Sequence, residues 1–142
     1  MPVVHFAHVG LNCQDLRTIE RFYTRYFGFT RARVISLGTE EIIFLKSGHV
    51  YLELFQAKET TPEPVYQKDG PPYVGHRHIA FQVDDLEAML KSLGPEVEIT
   101  LGPLGFDDFI PGWRTVWIKD PDGRIVEISQ GFQDQENPPA LG

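Results

Sequence analysis

The hydrophobic pattern along the chain switches period several times, and each switch marks an element. From Val4 to Cys13 apolar and polar residues alternate, with Val9, Leu11 and Cys13 on one side and His8, Gly10 and Asn12 on the other. That two-residue period predicts a strand. From Asp15 to Phe27 the period lengthens. Leu16, Ile19, Phe22, Tyr23 and Tyr26 recur three and four residues apart, and Gly28 follows, predicting an amphipathic helix with a glycine stop. Strands are expected at about 30–37, 41–46 and 49–55, separated by Gly38-Thr39 and Ser47-Gly48.

The segment from Ala57 to Gly75 has no period and holds Pro62, Pro64, Pro71 and Pro72 with Gly70 and Gly75. It is read as a linker whose residues also overhang a site. Alternation resumes from His76 to Val83. Asp84 with Glu87 three residues on resembles a capping box. It opens a helix striped by Leu86, Met89, Leu90 and Leu93 and ended by Gly94-Pro95. Strands are expected at about 97–101, 114–119 and 124–130. Gly102–Gly112, with Phe106, Phe109, Asp107 and Asp108, is read as a lid, and residues 132–142 as a polar, proline-rich tail. Asp120-Pro121-Asp122-Gly123 is a tight-turn signature before the last strand.

The two halves repeat each other. Offset by 70 residues, His8 to Leu16 lies over His78 to Leu86, and both read His, apolar, small, apolar, polar, apolar, polar, Asp, Leu. Offset by 74, Tyr51 to Gln56 lies over Ile125 to Gln130, so Glu53 matches Glu127. Each half reads strand, helix, three strands. The fold class is therefore α+β: two tandem βαβββ modules, about 4–56 and 76–131, in one domain, joined by the linker 57–75. In each half the strand period sets the histidine and the glutamate opposite the apolar face that its helix must cover. His8, Glu53, His78 and Glu127 converge if the two mixed sheets curl and meet as a cup.

Two imidazoles and two carboxylates suit a divalent metal with nitrogen and oxygen ligands. A lone strand histidine is more often a satisfied polar residue; two at equivalent repeat positions, matched by two glutamates, favour the metal. His76 shares a face with His78, but the repeat register selects His78. His5 and His49 are read as structural or solvated. Trp113 and Trp117 are read either as cavity lining or as packing on the sheet, and Arg114 as an anion anchor or an exposed strand end.

The net charge of −7 argues against nucleic acid, which calls for a basic stripe. The single cysteine, Cys13, excludes an intrachain disulfide, fits a reducing compartment and falls in an apolar run as a small core residue. No apolar stretch approaches the ~20 residues of a membrane helix. A cytoplasmic protein acting on a small molecule, with neither nucleic acid nor membrane as partner, is the expectation.

With its module order, its paired His and Glu positions, and His8-Val9-Gly10-Leu11, Asp15-Leu16, Phe22-Tyr23, Phe27-Gly28-Phe29 and Asp120-Pro121-Asp122-Gly123, the chain over residues 4–131 resembles the vicinal oxygen chelate superfamily. That group includes glyoxalase I, methylmalonyl-CoA epimerase, extradiol dioxygenases, fosfomycin-resistance transferases and bleomycin-resistance proteins. The resemblance implies one divalent ion per site (Ni, Co, Zn, Mn or Fe) held by His8, Glu53, His78 and Glu127, and a homodimer. The ligand set is most similar to bacterial-type glyoxalase I. It implies Glu127 as the base that removes a proton next to a carbonyl, with Glu53 second. The expected function is thus a metal-dependent isomerase, lyase or epimerase. A non-catalytic binding or resistance protein of the same fold is the alternative, with a ring-cleaving dioxygenase behind it; the extra carboxylate Glu53 argues against the latter. Asn12 stands where bacterial glyoxalase I has an arginine, and Phe55-Gln56-Ala57 replaces its Thr-x-Asn stretch. Glu40 and Glu41 do not fit the spacing of the epimerase base, so the substrate is left open.

Overall fold

The computed structural model describes residues 2–59 and 66–142. Two compact units divide the chain: Met1–Val65 with Asp120–Gly123, and Tyr66–Lys119 with Arg124–Gly142. Each contains a four-stranded mixed sheet and one helix, the α+β arrangement expected.

In the first unit the elements are β1 (His8–Cys13), α1 (Leu16–Phe27), β2 (Thr30–Leu37), β3 (Glu40–Ser47) and β4 (Val50–Gln56). The sheet order is β1-β4-β3-β2, with β1 parallel to β4 and the other pairs antiparallel. Register places Leu11 beside Leu54 and Ile43 beside Leu54. These apolar positions, with Leu45 and Leu52, are buried together with Leu16, Ile19, Phe22 and Tyr23 of α1. Asp15 caps the helix, accepting from the backbone N–H of Arg17 at 3.1 Å. Gly28 ends it at φ +70°, a left-handed conformation that glycine adopts without a Cβ clash. The Asp-Pro-Asp-Gly turn forms as read: the Gly123 N–H donates to the Asp120 carbonyl at 2.9 Å. Asp120 is buried and accepts from the Tyr23 hydroxyl at 2.8 Å. Asp122 accepts from the backbone N–H of Gln14 at 3.1 Å, so the turn holds both ends of the first helical turns.

In the second unit the elements are β5 (Ile79–Gln82), α2 (Leu86–Ser92), β6 (Ile99–Gly105), β7 (Arg114–Lys119) and β8 (Ile125–Gln130), in the order β5-β8-β7-β6. Val116, Ile118, Val126 and Ile128 are fully buried. The repeat extends to hydrogen bonds. Gln56 donates to the carbonyl of Gln14 at 2.7 Å, and its counterpart Gln130 accepts from the N–H of Leu86 at 2.7 Å. In both units the end of the last strand is tied to the start of the helix.

Three expectations are corrected. The cap of α2 is Asp85, which accepts from Ala88 N–H at 3.0 Å, rather than Asp84. The residues read as a lid are partly strand: β6 runs on to Gly105. It does so because the ladder shifts register between Leu101 and Leu104, where Gly102 (φ +89°) lets the backbone approach Thr115; a Cβ there would lie 2.9 Å from the Thr115 carbonyl oxygen. The first strand begins at His8, not Val4, and the residues ahead of it are exposed. Pro62 and Pro64, part of the linker reading, lie outside the described residues. The remainder of that segment, from Tyr66, belongs to the second unit.

Candidate metal centre

Parallel pairing of the first and last strand of each unit brings each histidine to its own glutamate. In the first unit Gly10 lies beside Glu53, so His8, two residues back on the same face, can reach its carboxylate. His8 Nε2 is 3.0 Å from Glu53 Oε1. In the second, Ala80 lies beside Glu127, and His78 Nε2 is 3.0 Å from Glu127 Oε1. Among the described residues no group of three or more His, Cys, Asp and Glu side chains is gathered at one point.

The surroundings of the two pairs differ. The His8 side chain is 41% exposed, with its ring perpendicular to that of Phe44 at 6.0 Å between centroids. The His78 side chain is 19% exposed, 6.4 Å from the Trp117 ring. Its Nδ1 is 2.6 Å from the backbone carbonyl oxygen of Asp69. A carbonyl only accepts, so Nδ1 carries a proton and donates it. Nε2 is left to face Glu127.

An imidazole nitrogen and a carboxylate oxygen at that separation can share a proton or a cation. For the cation the fit is good: two ligands each roughly 2.1 Å from an ion, set at a right angle, stand about 3 Å apart. The same spacing occurs in both units.

On the face that carries Glu127, register adds Trp117 directly opposite it, then Thr115 opposite Ser129. Trp113 donates from Nε1 to the Ser129 hydroxyl at 3.0 Å and packs on Phe106 and Phe132. Trp117 is buried, and its Nε1–H has no acceptor among the described residues. Both tryptophans therefore pack on the sheet, and Trp117 also neighbours His78. Arg114 is 3.4 Å from Glu87 in a surface ion pair, and Glu41 is 2.7 Å from Arg17. His5, His49 and His76 are exposed, and Cys13 is fully buried. In the first unit, away from the paired residues in sequence, Glu20 and Arg31 perturb each other. Hydrogen bonding by Arg31 holds the Glu20 carboxyl below the usual carboxylate range against the opposing effect of burial, with the charges of Arg31 and Arg17 adding. Sequence reasoning missed the Asp69 carbonyl behind His78, since a backbone acceptor carries no residue signature.

The comparisons with known proteins agree on one architecture. The family model described as the glyoxalase/bleomycin resistance protein/dioxygenase superfamily matches residues 5–128. A curated relative, the virulence protein STM3117 of Salmonella typhimurium (strain LT2), is 28% identical over 134 residues, covering 92% of this chain and 86% of its own. The crystal structure of SMU.1112c is 30% identical with a TM-score of 0.63, covering 90% of this chain and 99% of that one. The fosfomycin resistance protein FosX of Listeria monocytogenes shares the fold at a TM-score of 0.69 and 14% identity, covering 92% of this chain and 96% of that one. No helix among the described residues is long and apolar enough to cross a membrane.

Proposed function

The chain belongs to the glyoxalase/bleomycin resistance protein/dioxygenase superfamily, and we propose that within it this protein is a metal-dependent isomerase, lyase or epimerase. The observation that carries the reading is the doubled His–Glu pair: His8 with Glu53 and His78 with Glu127, each at 3.0 Å, at equivalent positions of the repeat. In this reading all four hold one divalent ion, in the pattern of bacterial-type glyoxalase I. An ion with four protein ligands and two remaining positions would supply Lewis-acid polarisation to a substrate carrying adjacent oxygens. Nickel, cobalt, zinc, manganese and iron all suit a His₂Glu₂ donor set.

The chain's own residues do the rest. Glu127 is the base. Its carboxylate takes the proton from the carbon next to the substrate carbonyl and returns it, either to the neighbouring carbon or to the opposite face of the same one. Glu53 is the second candidate for this role. General-base help is typically worth about 10²–10⁴ in rate. A cytoplasmic homodimer completes the proposal.

Elemental analysis of protein purified without chelators, with Glu53→Ala and Glu127→Ala alongside, tests the reading. One equivalent of a divalent transition metal per chain, lost in both variants, supports it. A chain that cannot be loaded with any of the five metals contradicts it and leaves the sequestering function of a resistance protein as the reading. For the base, Glu127→Gln is expected to lower turnover with the fold intact; an unchanged rate would exclude Glu127.

A further inference from the structure

The residues just ahead of β5 form a strap against the ring of His78. Gln67 to Gly70 is a turn, closed by the Gly70 N–H donating to the Gln67 carbonyl at 3.1 Å. Its first central residue, Lys68, has φ +54°, a left-handed conformation that costs a side-chain-bearing residue energy and persists only where surroundings enforce it. Two contacts do the enforcing. The Thr100 hydroxyl of β6 donates to the Lys68 carbonyl at 2.6 Å and also lies 3.2 Å from the Trp117 carbonyl. Gly70 (φ +124°) sits so close to Arg77 that a Cβ on it would fall 2.0 Å from the Arg77 carbonyl oxygen. The Asp69 carboxylate, 3.0 Å from Arg77 Nη1, spans the same gap at the surface. Between these anchors the Asp69 carbonyl is aimed at His78 Nδ1, 2.6 Å away.

We propose that this strap, anchored by Thr100, sets the orientation of the His78 ring, and that Thr100 is a positioning residue for the metal site. With the Asp69 carbonyl held in place, Nδ1–H stays bonded to it and Nε2 stays turned to Glu127, where a cation is taken up. Without the Thr100 hydroxyl, the strained Lys68 turn relaxes, the Asp69 carbonyl withdraws, and the ring loses the bond that orients Nε2. Partners of this kind, one bond removed from the ion, are typically worth about 10–100-fold in metal affinity.

The consequence for metal rests on the metal reading of His78; the ring's orientation does not, so two measurements separate them. The first is the His78 Nδ1–H signal in a ¹H–¹⁵N spectrum of the metal-free protein. The wild type is expected to show that proton protected from exchange with water, Thr100→Val to lose the protection, and Thr100→Ser to keep it. The second is a Co²⁺ titration of the same three proteins, in which Thr100→Val binds about tenfold more weakly and Thr100→Ser is restored. An unprotected Nδ1–H in the wild type, or a Thr100→Val proton protected as in the wild type, overturns the strap. A Thr100→Val protein with the unprotected proton and unchanged cobalt affinity overturns the positioning role. Wild-type protein that takes up no cobalt while the Nδ1–H still responds to Thr100 upholds the strap and removes the metal function.

Discussion

The two histidines occupy the same place in a duplicated pattern and are held in different ways. His8 and His78 are each 3.0 Å from a glutamate on the neighbouring parallel strand. Behind His78 stand a backbone carbonyl at 2.6 Å and an indole ring. Behind His8 stands the Phe44 ring, and among the described residues no hydrogen-bond partner of its Nδ1 is found. The residues leading into β1 are exposed, Val4 at 87% and Phe6 at 73%, whereas those leading into β5 fold back as the strap. The His–Glu spacing thus comes from strand register, which the duplication copies. The hold on the histidine ring comes from the preceding segment, which it does not copy.

The helices show the same divergence. α1 has twelve residues and buries Leu16, Ile19, Glu20, Phe22 and Tyr23; α2 has seven and buries only Leu86. The largest expected effects follow from this contrast. Ile19→Ala and Leu86→Ala each remove a fully buried side chain, at a cost of about 2–5 kcal/mol by denaturant unfolding. The first unit keeps other anchors for its helix. In the second, Leu86→Ala is expected to detach α2, seen as selective loss of amide-exchange protection over residues 86–92. Equal loss over both helices would break the comparison.

Next in size is the acid response of the first unit. Glu20 accepts from Arg31 Nη2 at 2.9 Å, with a second, shorter contact from Nε. Because the folded-state value of Glu20 lies below its unfolded one, the stability it contributes is fully present above the unfolded value. It is lost as pH falls through the folded one. Glu20→Gln is therefore expected to cost about 1–2 kcal/mol at neutral pH, held to that by the exposure of Arg31. It should also flatten the acid limb of the stability curve. Denaturation midpoints from neutral pH down to acid would reveal it, and an unchanged acid limb would show that the pair is inert.

The smallest effects belong to the caps. Asp15→Ala and Asp85→Ala should each cost about 1 kcal/mol, with Asp15 the larger loss, since it also accepts from the Thr18 hydroxyl at 3.1 Å. Asp84→Ala should be near neutral. A larger loss at Asp84 than at Asp85 would reverse the cap assignment.

That assignment shows where the sequence is legible. Alternation and the His…Glu repeat carry β4 and β8 to within a residue at each end, because a strand face is a matter of parity, whereas β1 and β5 begin four and three residues later than the alternation suggests. Two successive aspartates satisfy a capping pattern equally well, and only backbone geometry selects Asp85. The length of β6 is hidden for a related reason: Gly102-Pro103 reads as a loop, yet a register shift carries the ladder past it. The His78–Asp69 bond is the least legible feature, since its acceptor is a carbonyl that every residue possesses. Of the candidate site, sequence supplies the four side chains and the structure supplies their pairing.

The most direct test of the central claim is a Co²⁺ titration of the wild type against His8→Ala, His78→Ala, Glu53→Ala and Glu127→Ala, followed by calorimetry. If one ion is held by residues of both halves, the wild type binds one cobalt per chain, and every variant loses it, His78→Ala no less than Glu127→Ala. Wild-type protein without cobalt uptake, or variants of one half that bind as the wild type does, would contradict a shared metal centre.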